Sequence, residues 1–372
     1  MANNITFIGK LRKLKENGYT EQEFSGGLIR KKLQCQIICG DNVQWLETSA
    51  LVWRDEKKNK IYTQKYVKNG KDEKLEVKWS ERFNEDIINS VSGYKKWVVD
   101  TDTFAHRKEL EEKLKKATET DEIDEISEEL AKSQKKRKEF LHGADFIDYL
   151  VKVLDNEKSR DMVFKVTGSV DFSYSEKNDK YYRTFTPQKI ARVPDDTKQI
   201  CEGSMQVYFS ENAVDDTMTD ETGNIVFNGY VQNYFSATKV NAFVPMSFTI
   251  NKDAELAEGF KLIFGDVEDE KVMEVGVVVD FINGSQRVAI TEDMLTDKQK
   301  KMIALKMTTL EKIAQELGGT VRGDRVTKTE LKDLMRGYSG GAVDTAFEIS
   351  DLVRKPLKQE EPVDIFNDDD DI

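Results

Sequence analysis

The stretch VFKVTGSVDFSYSEKNDKYYRTFTPQKIARV, Val163 to Val193, decides the fold class. Val163, Lys165 and Thr167 alternate with Phe164, Val166 and Gly168, the period of two that sends successive side chains to opposite faces of a strand. Tyr181 to Val193 reads as a second strand. The β pattern continues through Met205 to Phe209, Ile225 to Phe235, Phe243 to Ile250, Lys261 to Phe264 and Val272 to Phe281. Gly223-Asn224 and Asn283-Gly284 read as tight turns. Residues 161–290 are therefore expected to form one β module.

Residues 1–103 read as another. Ile5 to Ile8 is a short strand, and Leu28 to Ile38 places apolar residues at 33, 35 and 37. Val43, Trp45, Leu51, Val52 and Trp53 indicate further strands, and Asn69-Gly70 is a hairpin turn signal. Tyr94 to Val99 closes this part. Ile5-Thr6-Phe7-Ile8-Gly9-Lys10-Leu11 and Phe164-Lys165-Val166-Thr167-Gly168-Ser169-Val170 echo each other, which points to a duplicated module.

Between them, residues 104–160 are rich in Glu, Lys, Leu and Ala and read as a helical insertion. Leu110 and Leu114, then Ile123, Ile126 and Leu130, follow helical spacing, and Thr120 before Asp121 and Glu122 reads as a helix start. Residues 291–355 are expected to be a small helical region. Ile303, Met307, Leu310, Ala314 and Leu317 share one face, Gly318-Gly319 stops that helix, and Thr327 with Glu330 has the spacing of a capping box. A last helix is expected near Ala342 to Val353. Residues 356–372 are too polar to bury surface worth their ordering entropy and are expected to be a disordered acidic tail. The fold class expected is α+β, with two β-barrel modules.

Charge is unevenly spread. The chain carries a formal −12. Its first hundred residues hold 19 Lys+Arg against 14 Asp+Glu, while Gln359 to Ile372 holds seven acids and no base. A basic front and an acidic end on one chain indicate a grip on a polyanion and a separate hold on something else.

Enzyme signatures are missing. The chain has neither a G-x-x-x-x-G-K-[ST] loop nor a G-x-G-x-x-G fingerprint, and its two histidines, His106 and His142, lie in the charged insertion and read as surface residues. No cofactor is indicated. Cys35, Cys39 and Cys201 make no disulfide framework. Cys35 and Cys39 share a face of an alternating strand and read as buried structural residues, the alternative being half of a metal or redox site. Acids cluster at Asp215, Asp216, Asp220 and Glu221, and again at Asp266, Glu268, Asp269 and Glu270, without the spacing of a calcium loop. No run approaches the ~20 apolar residues of a membrane span, and the N-terminal segment lacks the apolar core of a signal peptide. A cytoplasmic location is expected.

The positive signal is basic residues mixed with aromatics. Trp53 to Trp79 holds nine Lys+Arg against five acids. Single-stranded nucleic acid binding needs this mixture, because cations track phosphates while flat rings stack on unpaired bases at roughly 1–3 kcal/mol per base. The candidate contacts are Lys10, Arg12, Arg30, Lys31, Lys32, Trp53, Arg54, Lys57, Lys58, Lys60, Tyr62, Lys65 and Tyr66 in the first β region, with Tyr174, Tyr181, Tyr182 and Arg183 in the second.

Basic-aromatic strands, a helical accessory region and the segment Asp364-Ile365-Phe366-Asn367-Asp368-Asp369-Asp370-Asp371-Ile372 together resemble the single-stranded DNA-binding proteins of phages and bacteria. The resemblance implies OB-fold modules, five-stranded barrels whose face and loops take single strands. It also implies that Phe366, Asp368, Asp369, Asp370, Asp371 and Ile372 recruit replication or recombination proteins. In bacterial members the acidic run precedes a terminal Pro-Phe. Here the aromatic residue stands before the acids, which fits a phage-encoded protein with its own partners. Two other readings remain open at this point: a structural virion or assembly protein, and a metal-dependent nuclease built on the scattered acids.

Overall fold

A computed structural model describes residues 3–14, 17–268, 270–289, 295–316, 320–335, 343–344 and 347–357. The N-terminal half contains ten strands: β1 (Asn4–Lys13), β2 (Tyr19–Phe24), β3 (Leu28–Cys39), β4 (Asn42–Trp53), β5 (Lys60–Lys65), β6 (Glu73–Lys78), β7 (Trp97–Asp100), β8 (Arg137–Phe140), β9 (Val163–Ser175) and β10 (Lys180–Val193). Its helices are α1 (Glu85–Ser90), α2 (Phe104–Lys116), α3 (Thr120–Lys135) and α4 (Gly143–Asp155). The C-terminal half contains β11 (Ile200–Phe209), β12 (Val214–Asp215), α5 (Thr219–Thr222), β13 (Asn224–Phe235), β14 (Val240–Asn251), α6 (Ala257–Gly265), β15 (Met273–Ala289), α7 (Asp297–Ala304), α8 (Leu310–Glu316), β16 (Thr320–Leu334), β17 (Val343–Asp344) and α9 (Ile349–Leu352). Among the described residues no helix is long and apolar enough to cross a membrane.

Strand pairing closes two circuits. In the first, β1 pairs antiparallel with β3, and β3 with β4. A single parallel bridge, Phe185 opposite Leu46, then joins β4 to β10; β10 pairs with β9, and β9 returns to β1. The second repeats this order: β11 to β13, β13 to β14, a parallel bridge at Thr249 and Glu330 to β16, then β15 and back to β11. Each circuit has a helix directly before its fourth strand: α4, the last of the four helices between β4 and β9, in the first, and α6, where a strand was expected over Lys261 to Phe264, in the second.

Those helices fill the circuits. Phe146, Ile147 and Leu150 of α4 are fully buried at helical spacing, and Phe264 of α6 stacks on Phe209 with centroids 4.3 Å apart. Burying one such side chain contributes about 1.5–3 kcal/mol. Along β3 the inward residues are Leu33, Cys35, Ile37 and Cys39, so both cysteines share the core face as their spacing predicts. Burial pushes the Cys35 thiol up to about 12. Cys201, hydrogen-bonded to Cys39 and buried, is raised further.

The pairing departs from the expected division of the chain. β9 and β10, expected to open the second module, complete the first circuit. The sequence echo links β1 and β9, but these strands are antiparallel neighbours in one circuit, with Asn4 to Lys10 lying along Ser169 to Val163. Gly168 serves close approach there, since a Cβ would lie 1.9 Å from the Thr186 carbonyl oxygen.

The two circuits are joined. The first half of β1 pairs with β11, and Gly284 of β15 pairs with Asn42 of β4. Asn283-Gly284 is thus not a turn. It lies inside a strand, and Gly284 is small because a Cβ would meet the Asp41 carbonyl oxygen at 2.1 Å. The amide of Asn283 donates to Asn42 Oδ1 (3.0 Å), and its Nδ2 donates to the Val43 carbonyl (2.8 Å). The Gln44 side chain donates to the Phe281 carbonyl at 2.7 Å. Phe7, Phe185 and Phe281 make one aromatic cluster across this junction, with centroids 4.7–6.0 Å apart.

Within the helical insertion α2 and α3 pack as a hairpin, and what locks its base is not the expected Thr120 cap. α3 begins at Thr120, but its N-cap is Glu119 and no side chain caps it. The lock is Asp102, which accepts from the Thr103 amide (2.8 Å), Ser133 Oγ (2.9 Å) and Lys136 Nζ (3.0 Å) and lies 3.2 Å from His106 Nδ1. Burial raises this carboxyl, but those bonds outweigh it and hold the group well below the usual carboxylate range. His142 is no surface residue either. It accepts from the Ala144 amide at the start of α4 and packs edge-on against Trp79.

The expected C-terminal helical region is only partly helical. Its first helix breaks into α7 and α8 where Lys306 takes a positive φ of 56°. The Thr327–Glu330 segment lies in β16 instead of a capped helix. Thr329 and Leu331 alternate into the core, and pairing with β15 satisfies the backbone along the way. α9 covers just Ile349–Leu352 of the expected last helix. The stop expected at Gly318-Gly319 lies outside the described residues. Pro356, expected in the tail, is buried; residues 358–372, with Phe366, Asp368, Asp369, Asp370, Asp371 and Ile372, lie outside the described residues.

Candidate nucleic-acid interface

Many of the predicted cations are held within the fold. Lys31 Nζ binds both Asp148 carboxylate oxygens (2.7 and 2.6 Å), fixing β3 to α4, and Lys32 pairs with Glu47 at 2.9 Å. Arg54 pairs with Glu23, and Lys60 with Glu76 at 2.8 Å. Lys10 stands 3.8 Å from Asp161, and Arg12 donates to the carbonyls of Leu11 and Arg160. Arg183 is a junction residue. Its guanidinium lies over Phe185 and Phe281, and Nη1 donates to Thr329 Oγ1 at 2.9 Å. Burial lowers its pKa to about 10, so it stays charged at neutral pH.

The remaining candidates gather on the small sheet of β5 and β6. Ile61, Val77, Trp79, Val91 and Leu141 form the core beneath that sheet. The alternation sends Tyr62 outward, 74% exposed, beside Gln64 and Lys74. Tyr66 is 61% exposed, and Tyr94, from the next segment, is 54% exposed and donates to Gln64 Oε1. Lys95 Nζ sits 5.4 Å from the Tyr94 ring. A concavity of about 580 Å³ opens among Tyr62, Gln64, Lys74 and Lys95. Nearby, Lys58 lies 5.3 Å over the Trp53 ring. Arg30, Lys57 and Lys65 have no carboxylate partner among the described residues.

At the β9–β10 hairpin the tyrosines separate. Tyr174 and Tyr181 pack at 4.9 Å, and Tyr181 continues to Phe235, so both rings belong largely to the core. Tyr182 faces solvent with Lys180 5.8 Å from its ring. Lys355 pairs with Asp179 at 2.6 Å, so the segment leading into the tail runs beside this hairpin.

The corresponding faces of the two circuits differ. In the second, Tyr208 and Phe243 point outward from β11 and β14 but are covered by Phe347 and Leu352, the aromatic centroids being 5.0–5.7 Å apart. In the first, the outer face of β3 and β4 is open and carries Trp45, 47% exposed. The sequence reading placed Trp45 in a strand but not in the site. The signal is parity, since Gln44 and Leu46 beside it are buried.

The acidic loops are internally bonded. Asp216 pairs with Lys261 at 3.0 Å, Asp220 with Lys252 at 3.5 Å, and Asp215 accepts from Thr217. Among the described residues no group of three or more His, Cys, Asp or Glu side chains is arranged to hold a metal ion.

No protein-family model matches the chain, and no curated protein matches its sequence. Among solved structures it is similar to the wild-type single-stranded DNA binding protein from Thermus aquaticus, at 11% identity and a TM-score of 0.34, over 92% of this chain and 95% of that one. A deletion mutant of the same Thermus aquaticus protein matches at 10% identity and a TM-score of 0.32, over 76% of this chain and 86% of that one.

Proposed function

We propose that this chain is a non-catalytic single-stranded DNA-binding protein built on two OB-fold modules. The observation that carries the reading is the β5–β6 sheet. Tyr62, Tyr66 and Tyr94 stand exposed at a sheet whose core lies on its other side, near Lys65, Lys74 and Lys95, which make no ion pair among the described residues. Large rings left in water beside cations have little structural use, whereas a single strand takes both groups at once. Two five-strand circuits, each with a helix before its fourth strand, support the modular reading. On this reading the first module spans residues 4–193 and includes the helical insertion; the second spans residues 200–334.

The strand would run over the open face of β3 and β4 and the β5–β6 sheet, contacting Arg30, Trp53, Lys57, Lys58, Tyr62, Lys65 and Tyr66, with Tyr182 at the hairpin. Lys31, Lys32, Arg54, Lys60 and Arg183 would shape the surface through their ion pairs and stacking. The acidic tail would recruit replication or recombination proteins, and its residue order favours a phage setting. The test is titration with oligo-dT and with a duplex of equal length, followed by fluorescence anisotropy at 50 mM salt. Binding of the single strand in preference to the duplex is expected. Failure to bind at low salt would overturn the reading.

A further inference from the structure

A pocket of about 360 Å³ opens where the two circuits meet. One wall is the outer face of the first circuit, with Gln36, Ile38, Val43 and Trp45; the other belongs to the second, with Ser285 and Arg325. We propose that this junction pocket binds one nucleotide unit of a single strand, with the base against the Trp45 indole and its phosphate on Arg325. The inference rests on the single-strand reading and goes beyond it. It assigns a specific subsite that neither module forms alone, and so a path by which one strand touches both.

The geometry favours this occupant over an unspecified ligand. Trp45 is a large ring left nearly half in water on a strand whose neighbours are buried, which suits stacking on a planar partner. Arg325 is positioned in advance: its Nε and Nη2 both donate to Asn283 Oδ1, at 3.2 and 3.0 Å. Asn283 is held in turn by the Val43 carbonyl of the other circuit. This leaves Nη1 of Arg325 available to an anion, and the residue has no carboxylate partner among the described residues. A guanidinium fixed in this way loses little side-chain entropy when it takes a phosphate oxygen. Gln36 and Ser285 can each donate or accept, so the pocket can meet the edge of any base. Asp41 stands on the rim as well. The volume falls within the range of small-ligand sites, roughly 300–1,000 Å³.

The full-length protein and a dT oligonucleotide provide the test. Trp45→Ala is expected to weaken binding about 5- to 150-fold, the span of one lost base stack. Arg325→Ala should lower the salt slope of log K by about 0.7, the loss of one phosphate contact. In a Trp53→Phe background, which silences the other tryptophan assigned to the strand, Trp45→Phe keeps a ring and should bind nearly as well yet lose most of the remaining tryptophan quenching, whereas Trp97→Phe should retain it. An oligonucleotide carrying 5-bromodeoxyuridine should photocrosslink to the peptide containing Trp45; this readout and Trp45→Phe remain usable if the alanine variant fails to fold. If the wild type binds dT while Trp45→Phe in the Trp53→Phe background keeps its quenching and no crosslink reaches Trp45, the subsite is refuted and the single-strand reading stands. If the wild type binds no single strand, both fall.

Discussion

Replacing Gly284 with alanine sets a methyl group against the junction of the two circuits. The added Cβ would lie 2.1 Å from the Asp41 carbonyl oxygen and 3.2 Å from Asn42 Cα. An ordinary C···O contact is about 3.3–3.6 Å, so β4 and β15 must separate by more than 1 Å. That separation breaks the Gly284–Asn42 bridge and strains the two hydrogen bonds from Asn283 to Asn42 and Val43. Each bond contributes about 0.5–1.5 kcal/mol net, and forcing a methyl group into a packed site costs about 1–3 kcal/mol. A loss of about 3 kcal/mol is expected. At about 2.1 cal/mol/K per residue, unfolding the whole chain carries roughly 0.8 kcal/mol/K, so the melting temperature should fall by about 4 °C. A looser junction would also let the halves unfold separately, which calorimetry would reveal as a split transition. Gly93→Ala is the control, because nothing lies within 4 Å of its Cβ position. If Gly284→Ala melts within 1 °C of that control as a single transition, the circuits are not packed against each other as described.

Four further outcomes follow from the same structure. Tyr62→Ala and Tyr66→Ala should each weaken dT binding by about 1–3 kcal/mol, and the melting temperature should stay unchanged because both rings are exposed; a fall in stability without loss of binding would make the tyrosines structural. Binding should decline with salt by about 0.7 in log K per phosphate neutralised, and a flat response from 50 to 300 mM would remove the polyanion grip. Truncation after Leu357 keeps the Lys355–Asp179 pair and the buried Pro356 while removing the acids, and it should tighten dT binding at low salt; equal affinity would mean that the tail does not compete for the groove. Asp102→Asn should loosen the α2–α3 hairpin by about 1–3 kcal/mol, read as faster amide exchange over residues 104–135. The folded carboxyl titrates below the unfolded value of about 3.9, so its stabilisation is present above that pH and declines as pH falls further. In wild type, protection there relative to intrinsic exchange at the same pH should fall below pH 4, and pH-independent protection would contradict the Asp102 lock.

Local features were legible in the chain. The alternation along β3 announced its inward face, Leu33 to Cys39, because a strand's period of two is a property of adjacent residues. The Asn69-Gly70 turn signal lies between β5 and β6, with Asn69 at a φ of 61°, and the Leu- and Glu-rich insertion folds as helices. The candidate site was half legible. The Trp53–Trp79 segment does present exposed tyrosines beside unpaired lysines, since a strongly charged hairpin cannot bury both of its faces.

Tertiary structure decided the rest, because which strands pair is a long-range choice. β9 joins β1 some 160 residues earlier and so belongs to the first circuit, although both strands could be read locally. The same non-local pairing turned Thr327–Glu330 into a strand and Asn283-Gly284 into a contact between circuits. It also sorted the aromatic residues. Tyr181 and Tyr182 are adjacent and chemically alike, yet one packs on Phe235 while the other meets solvent, because only the assembled sheet defines which face is inside. Trp45 and Arg325 lie 280 positions apart and share a pocket only through the junction. The sequence alone pointed to basic and aromatic residues gathered in the Trp53–Trp79 stretch. Which of those rings and cations stay exposed follows from the closure of the two circuits and the ion pairs formed on the way.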